Sequence, residues 1–360
     1  MKKKLRAIAI HLPQFHAIPE NDRWWGKGFT EWTKVKKATP IFKGHYQPHI
    51  PLGQNYYDLK NNEALCKQAE LADKFGIHGF CFYHYWFSGK KMLEQPTEKM
   101  LELGKPDFPF MFCWANENWT KAWAGYDNKV LLEQTYSDED DNRHFEYLVP
   151  FFKDHRYIKI DDKPVFIIYR SDLIPDINAR TDRWRQIVKS HGIKDLYLIT
   201  VERYALGHDP SGMGFDASME FHPHSSLYPG RIKNGLFWKI FRKLDLQPRI
   251  SKSRIYRFPD YVKNAINRGN NIDYKRFPGL MPSWDNTPRR EKGGLVFLDS
   301  SPTVYGRWLE HIVNNFRPYS PQENLLFINA WNEWGEGNHL EPCEKWKHSY
   351  LEETKELLKG

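Results

Sequence analysis

The sequence lacks the motifs of several large enzyme classes. Its 360 residues contain no G-x-G-x-x-G or P-loop sequence and no G-x-S-x-G nucleophile elbow. These absences argue against dinucleotide binding, nucleoside triphosphate hydrolysis and serine-esterase chemistry. The histidines His84, His222 and His224 are not accompanied by zinc or metallohydrolase spacing. We therefore predict no metal site and no cofactor.

Cysteine and long apolar runs are also scarce. The four cysteines, at positions 66, 81, 113 and 343, include no C-x-x-C pair, which predicts free thiols in a reducing, cytoplasmic environment. No apolar run approaches the length of a membrane span. Residues 7–10, after the basic N-terminus, are too few for the apolar region of a signal peptide. We expect a soluble chain whose first strand begins there.

Aromatic residues, by contrast, are abundant. They make up 16% of the chain and include 14 tryptophans, which is more than a core usually needs and suggests flat surfaces that stack on sugar rings or bases. The formal net charge of +8 favours anionic partners but does not choose between nucleic acid, anionic lipid and acidic glycan.

Strand and helix patterns alternate along the chain. Eight apolar runs predict strands at 5–12, 79–85, 110–114, 164–169, 196–201, 217–221, 279–284 and 325–328. Amphipathic patterns predict helices at 62–75, 91–103, 138–153, 179–190, 259–268, 303–316 and 350–358. This order predicts an α/β fold, a single (β/α)8 TIM-type barrel over residues 1–360, with a long insertion at 225–257 near the sixth helix position.

Polar or aromatic residues follow every predicted strand. Active sites of such barrels form at the carboxyl ends of the strands, so these residues are the candidate substrate ligands, although each alone could be a satisfied polar group at a strand terminus. In chain order they are His11, Gln14, Tyr83, His84, Trp86, Trp114, Asn116, Glu117, Tyr169, Glu202, Tyr204, Glu220, His222, Trp284, Asp285 and Asn332.

The stretch after the last strand carries two acids, Glu333 and Glu336. In an extended strand they would lie roughly 10 Å apart on opposite faces. Gly335 and Gly337 permit a turn that brings the carboxyls to roughly 5–9 Å, the range of paired glycosidase carboxylates. The alternative is an acid-rich first turn of a helix.

Tryptophans accompany these acids and recur in the loop after the first strand. Trp331 and Trp334 supply apolar faces that could stack on a sugar and raise a neighbouring carboxyl pKa by desolvation. Trp25, Trp32 and Glu31 repeat this chemistry and predict a wall against a sugar face. A lid packed on its own indoles is the alternative.

Five segments carry a resemblance to a known family. They are Leu12-Pro-Gln-Phe-His16, Trp24-Trp-Gly-Lys-Gly-Phe-Thr-Glu-Trp32, Gly79-Phe-Cys-Phe-Tyr-His-Tyr-Trp86, Trp114-Ala-Asn-Glu-Asn-Trp119 and Trp331-Asn-Glu-Trp-Gly-Glu-Gly337. They resemble the WbsX-type family of bacterial polysaccharide gene clusters, often labelled glycosyltransferase, which is similar to the endo-α-mannosidases of glycoside hydrolase family 99. The resemblance implies a barrel that acts on O-antigen or capsular polysaccharide.

The resemblance also implies roles for the two acids. Glu333 would be the base that deprotonates the sugar 2-hydroxyl, and Glu336 the acid that protonates the leaving oxygen. The resulting 1,2-anhydro sugar would then be opened with retention of configuration. Gly335 stands where the hydrolases commonly have histidine, a departure that we interpret as a wider site.

The insertion is unusually basic. Residues 231–257 contain nine Lys or Arg and one acid, interleaved with apolar and aromatic residues. The segment could lie peripherally on an anionic inner-membrane surface, where lipid-linked glycans reside, or form a solvated helical hairpin.

These observations favour a retaining glycosidase or transglycosylase that acts on an α-glycosidic, mannoside-like bond of an oligo- or polysaccharide. A glycosyltransferase with an activated sugar donor is the first alternative, and a non-catalytic sugar-binding barrel is the second. No nucleic-acid partner is predicted.

Overall fold

A computed structural model describes residues 5–121, 129–202, 207, 209–232, 235–269, 272–290 and 292–359. Tyr204, a predicted substrate ligand, lies outside these residues. Eight parallel strands form the centre of the fold. They are β1 (Arg6–His11), β2 (Gly79–Phe87), β3 (Phe110–Trp114), β4 (Lys163–Ile168), β5 (Tyr197–Glu202), β6 (Ala217–Glu220), β7 (Arg276–Phe277 and Gly279–Leu280) and β8 (Leu325–Ile328).

The sheet closes into a barrel through β7. Its first half pairs with β6, with Ser218 opposite Arg276. Its second half pairs with β8, with Gly279 opposite Phe327. β8 in turn pairs with β1, so every barrel strand has a neighbour on both sides. The predicted TIM-type (β/α)8 barrel is confirmed.

Helices surround the barrel. Their bounds are α1 (Pro19–Trp25), α2 (Glu31–Val35), α3 (Asn62–Lys74), α4 (Gln95–Leu103), α5 (Asp138–Lys153), α6 (Ile177–Ser190), α7 (Leu236–Lys243), α8 (Pro248–Ser251), α9 (Phe258–Asn267), α10 (Pro302–Asn315) and α11 (Ser349–Lys359). Between β5 and β6 the described residues form only a 3₁₀ turn at Ser211–Met213. No helix of the described residues has the length and apolarity to cross a bilayer.

Local chemistry explains where the helices begin. Ser137 accepts a hydrogen bond from the Asp140 backbone at the start of α5. The acids at 138–141 occupy the first turn of this helix, where their negative charge is stabilised by the positive end of the helix dipole. Ser301 caps α10 in the same way. The predicted helix at 91–103 begins only at Gln95, because Lys90–Met92 instead forms a strand that pairs with the end of β2.

The insertion has secondary structure of its own. It contains α7, α8 and the strand Arg254–Arg257, which pairs in parallel with Leu295–Leu298. That second strand follows the loop after β7. The insertion is therefore joined by backbone hydrogen bonds to a loop at the carboxyl end of the barrel.

Side chains of the strands alternate between two apolar layers. Cys81 and Cys113 lie inside the barrel, where both are buried free thiols. His84 is on the same strand as Cys81 but faces the helical layer, where it packs on His144 of α5. The direction in which each strand residue points therefore decides whether it reaches the barrel mouth or the helical layer.

Candidate active site

One arginine joins three carboxylates at the carboxyl end of the barrel. Arg289 Nη2 lies 2.6 Å from Glu333 Oε2 and 2.6 Å from Glu31 Oε1. Its Nη1 lies 3.0 Å from Glu336 Oε1, and its Nε donates to Glu31 Oε1 at 2.8 Å. Because one planar guanidinium bridges Glu333 and Glu336, their carboxyls are no more than roughly 8 Å apart. This is compatible with the separations of about 5–9.5 Å in glycosidase pairs.

The chain reverses directly after β8 to present the two acids. Glu333 ends the short strand Asn332–Glu333, which pairs antiparallel with Asn338–His339. Glu336 ends the 3₁₀ turn Trp334–Glu336, and Gly337 continues with a φ of 56°. The predicted turn between the acids is present, and glycine at 337 supplies its left-handed residue.

Gly335 is needed for a different reason from the one predicted. Its φ is not among the positive values of the described glycines. A Cβ at this position would collide with Glu31 Oε1 and lie 2.7 Å from Arg289 Nε. The glycine therefore does not widen the site. It leaves room for Glu31 and Arg289 to pack against the backbone between the two acids.

The loop after β1 brings Glu31 to this cluster. The Glu31 backbone N–H donates to the Gln14 carbonyl at 3.0 Å, and Glu31 begins α2. Both residues line a pocket together with Arg289. The complete lining is Gln14, Trp25, Phe29, Glu31, Lys34, Trp119 and Arg289. Within the described residues, the buried Gln14 Oε1 has no hydrogen-bond donor.

Asp285 holds the loop that carries Arg289. Its Oδ2 accepts hydrogen bonds of 2.7 Å from His45 Nε2 and Gln47 Nε2, and its Oδ1 accepts one from Thr287. Its backbone N–H donates to the Glu336 carbonyl at 2.6 Å. Burial alone would raise the pKa of Asp285, but these hydrogen bonds and His45 lower it. The ionised Asp285 thus links the β7 loop to the turn after β8.

A buried carboxylate behind the acid pair fixes the tryptophans of the motif. Glu341 accepts hydrogen bonds from Trp334 Nε1 at 2.7 Å, Trp331 Nε1 at 3.1 Å and Gln68 Nε2 at 2.6 Å. Tyr57 donates a fourth, at 2.9 Å. Burial raises the pKa of Glu341 to about 7, against the lowering effect of these donors.

The electrostatics of the cluster differ between its members. Burial raises the pKa of Glu333 to about 8; Arg289 opposes this rise, while Glu336 and Glu31 add to it. The Glu333 side chain is 5% exposed, whereas that of Glu336 is 21% exposed. Burial lowers and the three carboxylates raise the pKa of Arg289, which ends well above its ordinary value. Arg289 therefore stays charged.

Several predicted ligands lie at or near this cluster. Gln14, Trp25 and Glu31 line the pocket. Tyr83, on β2, is close enough to Glu333 that the carboxylate adds to the burial-driven rise of the tyrosine pKa. Trp284 is buried, and its Nε1 has no acceptor within the described part of the chain.

The tryptophans of the motif are packing residues in this structure. Trp331 and Trp334 are 0% and 1% exposed. Trp334 stacks on His339 at 3.7 Å and packs against Trp32, whose Nε1 donates to the Tyr57 carbonyl. These rings have no face available to a sugar, so the predicted stacking role of Trp334 and Trp32 is not retained.

Other predicted ligands point into the helical layer. His84 Nε2 lies 2.8 Å from His144 Nε2, and Trp86 Nε1 donates to Asp140 on the same helix, α5. Trp114 packs on His144 and donates to the Trp86 carbonyl. All three side chains therefore make their contacts in the helical layer and not with Glu333, Glu336 or Glu31.

The end of β1 is held in place by two further predicted ligands. His11 Nε2 contacts Gln68 Oε1 at 3.1 Å, and burial lowers its pKa to about 4. Asn332 Oδ1 accepts from the Leu12 backbone at 2.7 Å, and its Nδ2 donates to the Leu12 carbonyl. Both side chains are fully buried, which gives them a positioning role.

Asn116 and Glu117 bind the neighbouring strand end instead of the carboxylate cluster. Asn116 Oδ1 accepts from the Arg170 backbone at 2.8 Å, and Glu117 pairs with the Arg170 guanidinium at 2.5 Å.

His222 Nδ1 lies 2.6 Å from Tyr261 Oη on α9. Tyr169 packs edge-on against Tyr83 at 6.1 Å.

Glu202 and Glu220 form a second ion cluster. Glu202 accepts from Ser218 Oγ and Tyr274 Oη at 2.6 Å each and lies 3.4 Å from Arg276 Nη1. Glu220 pairs with Arg276 and Arg268. These contacts lie on β5–β7, beside the connection where the described residues supply no full helix. Both acids are paired with arginines there, and neither acid contacts Arg289.

Sequence reasoning missed Arg289 and Glu341. Arg289 lies five residues after Trp284, in the loop that also contains the predicted ligand Asp285. A cation close to the acids at the strand ends could have indicated an ion pair with them. Glu341 was not singled out because it lies four residues after the motif that ends at Gly337, and its burial is not evident from the sequence.

Comparison with solved structures places the fold. A glycoside hydrolase-like protein superposes with a TM-score of 0.62 at 13% identity, covering 99% of this chain and 94% of that one. The GH99 endo-alpha-mannosidase from Bacteroides thetaiotaomicron superposes with a TM-score of 0.57 at 15% identity, covering 98% and 96%. The barrel is therefore of the kind found in glycoside hydrolases.

Sequence comparison then assigns the family. The family model described as "Glycosyltransferase WbsX" matches residues 7–354, and the chain belongs to this family. The uncharacterized protein WxcX of Xanthomonas campestris pv. campestris (strain B100) is 37% identical over 352 residues. That match covers 98% of this chain and 49% of WxcX, so the chain spans about half the length of this relative.

Proposed function

We propose that this chain cleaves or transfers glycans at an α-glycosidic, mannoside-like bond with retention of configuration, as part of bacterial polysaccharide metabolism. The main support for this proposal is that Glu333 and Glu336 both contact the guanidinium of Arg289, through its two different terminal nitrogens, at the carboxyl end of the barrel. Among the described residues the buried acceptor Gln14 Oε1 beside it has no donor, and such an acceptor suits a sugar hydroxyl.

The proposed first step is an internal displacement. The Glu333 carboxylate takes the proton of the sugar 2-hydroxyl, and O2 attacks C1 as the bond from C1 to the leaving oxygen breaks. Glu336 gives its proton to that oxygen. An internal nucleophile next to the reacting carbon benefits from a high effective molarity. The products are a 1,2-anhydro sugar and the freed leaving group.

The second step reverses the proton transfers. The Glu336 carboxylate takes a proton from water, or from an acceptor hydroxyl, whose oxygen attacks C1. The bond between C1 and O2 breaks, and protonated Glu333 returns its proton to O2. Two inversions give overall retention. Water yields hydrolysis and a sugar hydroxyl yields transglycosylation.

The unequal environments of the acids support this division of roles. A base that removes a proton from a weakly acidic hydroxyl gains strength from a raised pKa. Burial raises the pKa of Glu333 to about 8, so below that pH only the minority of molecules with Glu333 ionised and Glu336 protonated can react. Glu336 is the more exposed acid, so incoming water or an acceptor can reach it. Arg289 fixes both carboxyls by charge-assisted hydrogen bonds.

Gly335 bears on the choice of sugar. The space next to this glycine is occupied by Glu31 and Arg289. We propose that Glu31 and Arg289 contact the sugar hydroxyls where the family 99 enzymes commonly carry histidine. The sugar bound next to the scissile bond would then differ from that of the endo-α-mannosidases.

A glycosyltransferase with an activated donor is the second candidate, and the family description favours it. The charges of the cluster weigh against it. The guanidinium of the cluster is already engaged by three carboxyls, so it offers little positive charge to the phosphates of a nucleotide sugar. The transferase would have to bind those phosphates elsewhere.

Proton NMR of the anomeric signals tests the proposal. Wild type, Glu336→Gln and Glu333→Gln are each incubated with α-linked oligosaccharides and, separately, with nucleotide sugars. We expect new reducing ends of retained configuration with wild type only. A matched substrate whose 2-hydroxyl is methylated should bind and remain uncleaved.

Other results would sink the mechanism. Inverted products, or cleavage of the 2-O-methyl substrate at the normal rate, would rule out participation of the 2-hydroxyl. Nucleotide release with elongation of an acceptor, and no cleavage of any glycan, would establish the transferase instead.

A further inference from the structure

Helix α7 in the insertion leaves its apolar side in solvent. Leu236 is 74% exposed, Phe237 58% and Ile240 48%, and Leu244, just after the helix, is 61% exposed. At 100° per residue these four positions lie within one arc of about 100°. No residue of α7 is buried. Phe237 packs on Phe241 of the same helix, and the helix presents an apolar stripe that remains largely exposed in the described part of the chain.

Basic residues border one side of this stripe. Lys239 and Lys243 follow the apolar positions around the helix and are exposed. The one acid of residues 231–257, Asp245, pairs with Lys252 at 2.5 Å and with Lys292 at 3.6 Å. Its charge is thus already compensated, and the segment keeps a large positive excess.

The insertion lies beside the mouth of the candidate site. Arg249 Nη1 donates to Thr39 Oγ1 at 3.1 Å, on the segment that follows Glu31 and α2. The strand Arg254–Arg257 pairs with Leu295–Leu298, and Leu295 N donates to Asn286 Oδ1 in the loop that carries Arg289. The apolar stripe and the carboxylate cluster are therefore linked to the same end of the barrel.

We propose that α7, with Leu244, is an interfacial helix that docks on an anionic phospholipid surface. Its apolar stripe would enter the boundary between headgroups and acyl chains, and Lys239 and Lys243 would contact lipid phosphates. A lipid surface fits this helix better than a protein partner does, because an apolar stripe with lysines along one side matches both the acyl chains and the phosphates of an anionic bilayer surface. Docking would place the barrel mouth next to the membrane, where a lipid-linked glycan presents its sugar.

Vesicle co-sedimentation tests this docking without any glycan. The full chain is mixed with vesicles of phosphatidylcholine alone or of phosphatidylcholine with phosphatidylglycerol. We expect binding to the anionic vesicles only, and less of it as salt rises. Lys239→Glu/Lys243→Glu and, separately, Leu236→Ser/Phe237→Ser/Ile240→Ser should each lower the partition coefficient about tenfold or more.

A matched control has the same charge change at the other end of the barrel. Lys153 and Lys194 are exposed and precede β4 and β5, so Lys153→Glu/Lys194→Glu should bind vesicles like wild type. Equal loss in this control, or wild-type binding by either α7 variant, would overturn the proposal. So would failure of wild type to bind anionic vesicles, including the case in which the stripe instead makes the chain self-associate.

The inference stands apart from the proposed glycan chemistry. The α7 variants should keep wild-type activity on soluble oligosaccharides, since α7 has no buried residue. Vesicle binding without glycan cleavage would refute the proposed function and leave the docking proposal intact. Glycan cleavage without vesicle binding would refute the docking and leave the proposed function intact.

Discussion

Arg289 Nη2 lies 2.6 Å from Glu333 Oε2, although 44 positions separate the two residues in the chain. The same nitrogen lies 2.6 Å from Glu31 Oε1. A buried guanidinium shared in this way offsets the repulsion among acids that must stand close together, and it makes the charge of each depend on the others.

The pH dependence of activity follows from this arrangement. Glu333 must be ionised to act as the base, and burial raises its pKa to about 8. The first step also needs Glu336 protonated, so we expect kcat/KM to follow a bell-shaped pH profile with one limb near pH 8. Initial rates on a cleaved oligosaccharide across the pH range measure this. A profile without a limb near pH 8 would contradict the role assigned to Glu333.

Removal of Arg289 should move that limb. The guanidinium lowers the pKa of Glu333, so Arg289→Met should shift the limb near pH 8 to higher pH. It should also reduce the maximal rate by about 10²-fold, because the acids lose their alignment. Arg290→Met is the matched control, since Arg290 is the exposed neighbour. An unshifted limb in Arg289→Met would contradict the assigned coupling.

Gly335→Ala should damage the site through a steric conflict. The added methyl group would meet Glu31 and Arg289, so we expect a loss of about 1–3 kcal/mol of stability and a large fall in kcat. Glu31→Gly in the same chain should recover part of the stability, which a double-mutant cycle of thermal unfolding measures. Gly212→Ala, where a Cβ meets nothing within 4 Å, should be neutral. Additive effects of the 31 and 335 substitutions would refute the conflict.

The barrel could be predicted because its strands are short, nearly continuous apolar runs separated by amphipathic helices. That pattern is local, and the closing motif with Glu333 and Glu336 stood out for the same reason. The loop of Arg289 could be suspected from its neighbour Asp285, but the partners of Arg289 could not be predicted, because its three carboxyls come from two loops that are distant in the chain. Gly335 illustrates the same limit: sequence suggests backbone freedom at a glycine, whereas its neighbours in space reveal a close approach.

The direction of side chains was the other limit. Successive residues of a strand face opposite layers, so a one-residue uncertainty in where β2 lies decides whether Tyr83 or His84 reaches the barrel mouth. Glu202 also ends a strand, yet it pairs with Arg276 of β7. Such pairings depend on barrel closure, which no short sequence pattern encodes.

Glu341 should couple stability to pH. Its folded-state pKa of about 7 lies above the ordinary value of 4.5 because of burial. The folded state therefore holds a proton that the unfolded state releases, and stability falls as pH rises from about 4.5 to 7. Glu341→Gln cannot titrate. We expect the unfolding free energy of wild type, relative to this variant, to fall by about 3 kcal/mol across that window. Parallel denaturant titrations that give a constant difference would contradict this.

Tyr83 and His84 provide a matched pair of neighbours on β2. Tyr83 is half-buried near Glu333, whereas His84 is hydrogen-bonded to His144 against α5. Tyr83→Phe should lower kcat/KM about tenfold with little change in Tm, because it removes a hydroxyl near the acids. His84→Phe should lower stability by about 1–3 kcal/mol, since it leaves the buried His144 without its partner, and kcat/KM of the folded fraction should stay at the wild-type value. If His84→Phe lost activity without any loss of stability, His84 would belong to the active site, and the orientation assigned to the end of β2 would be wrong.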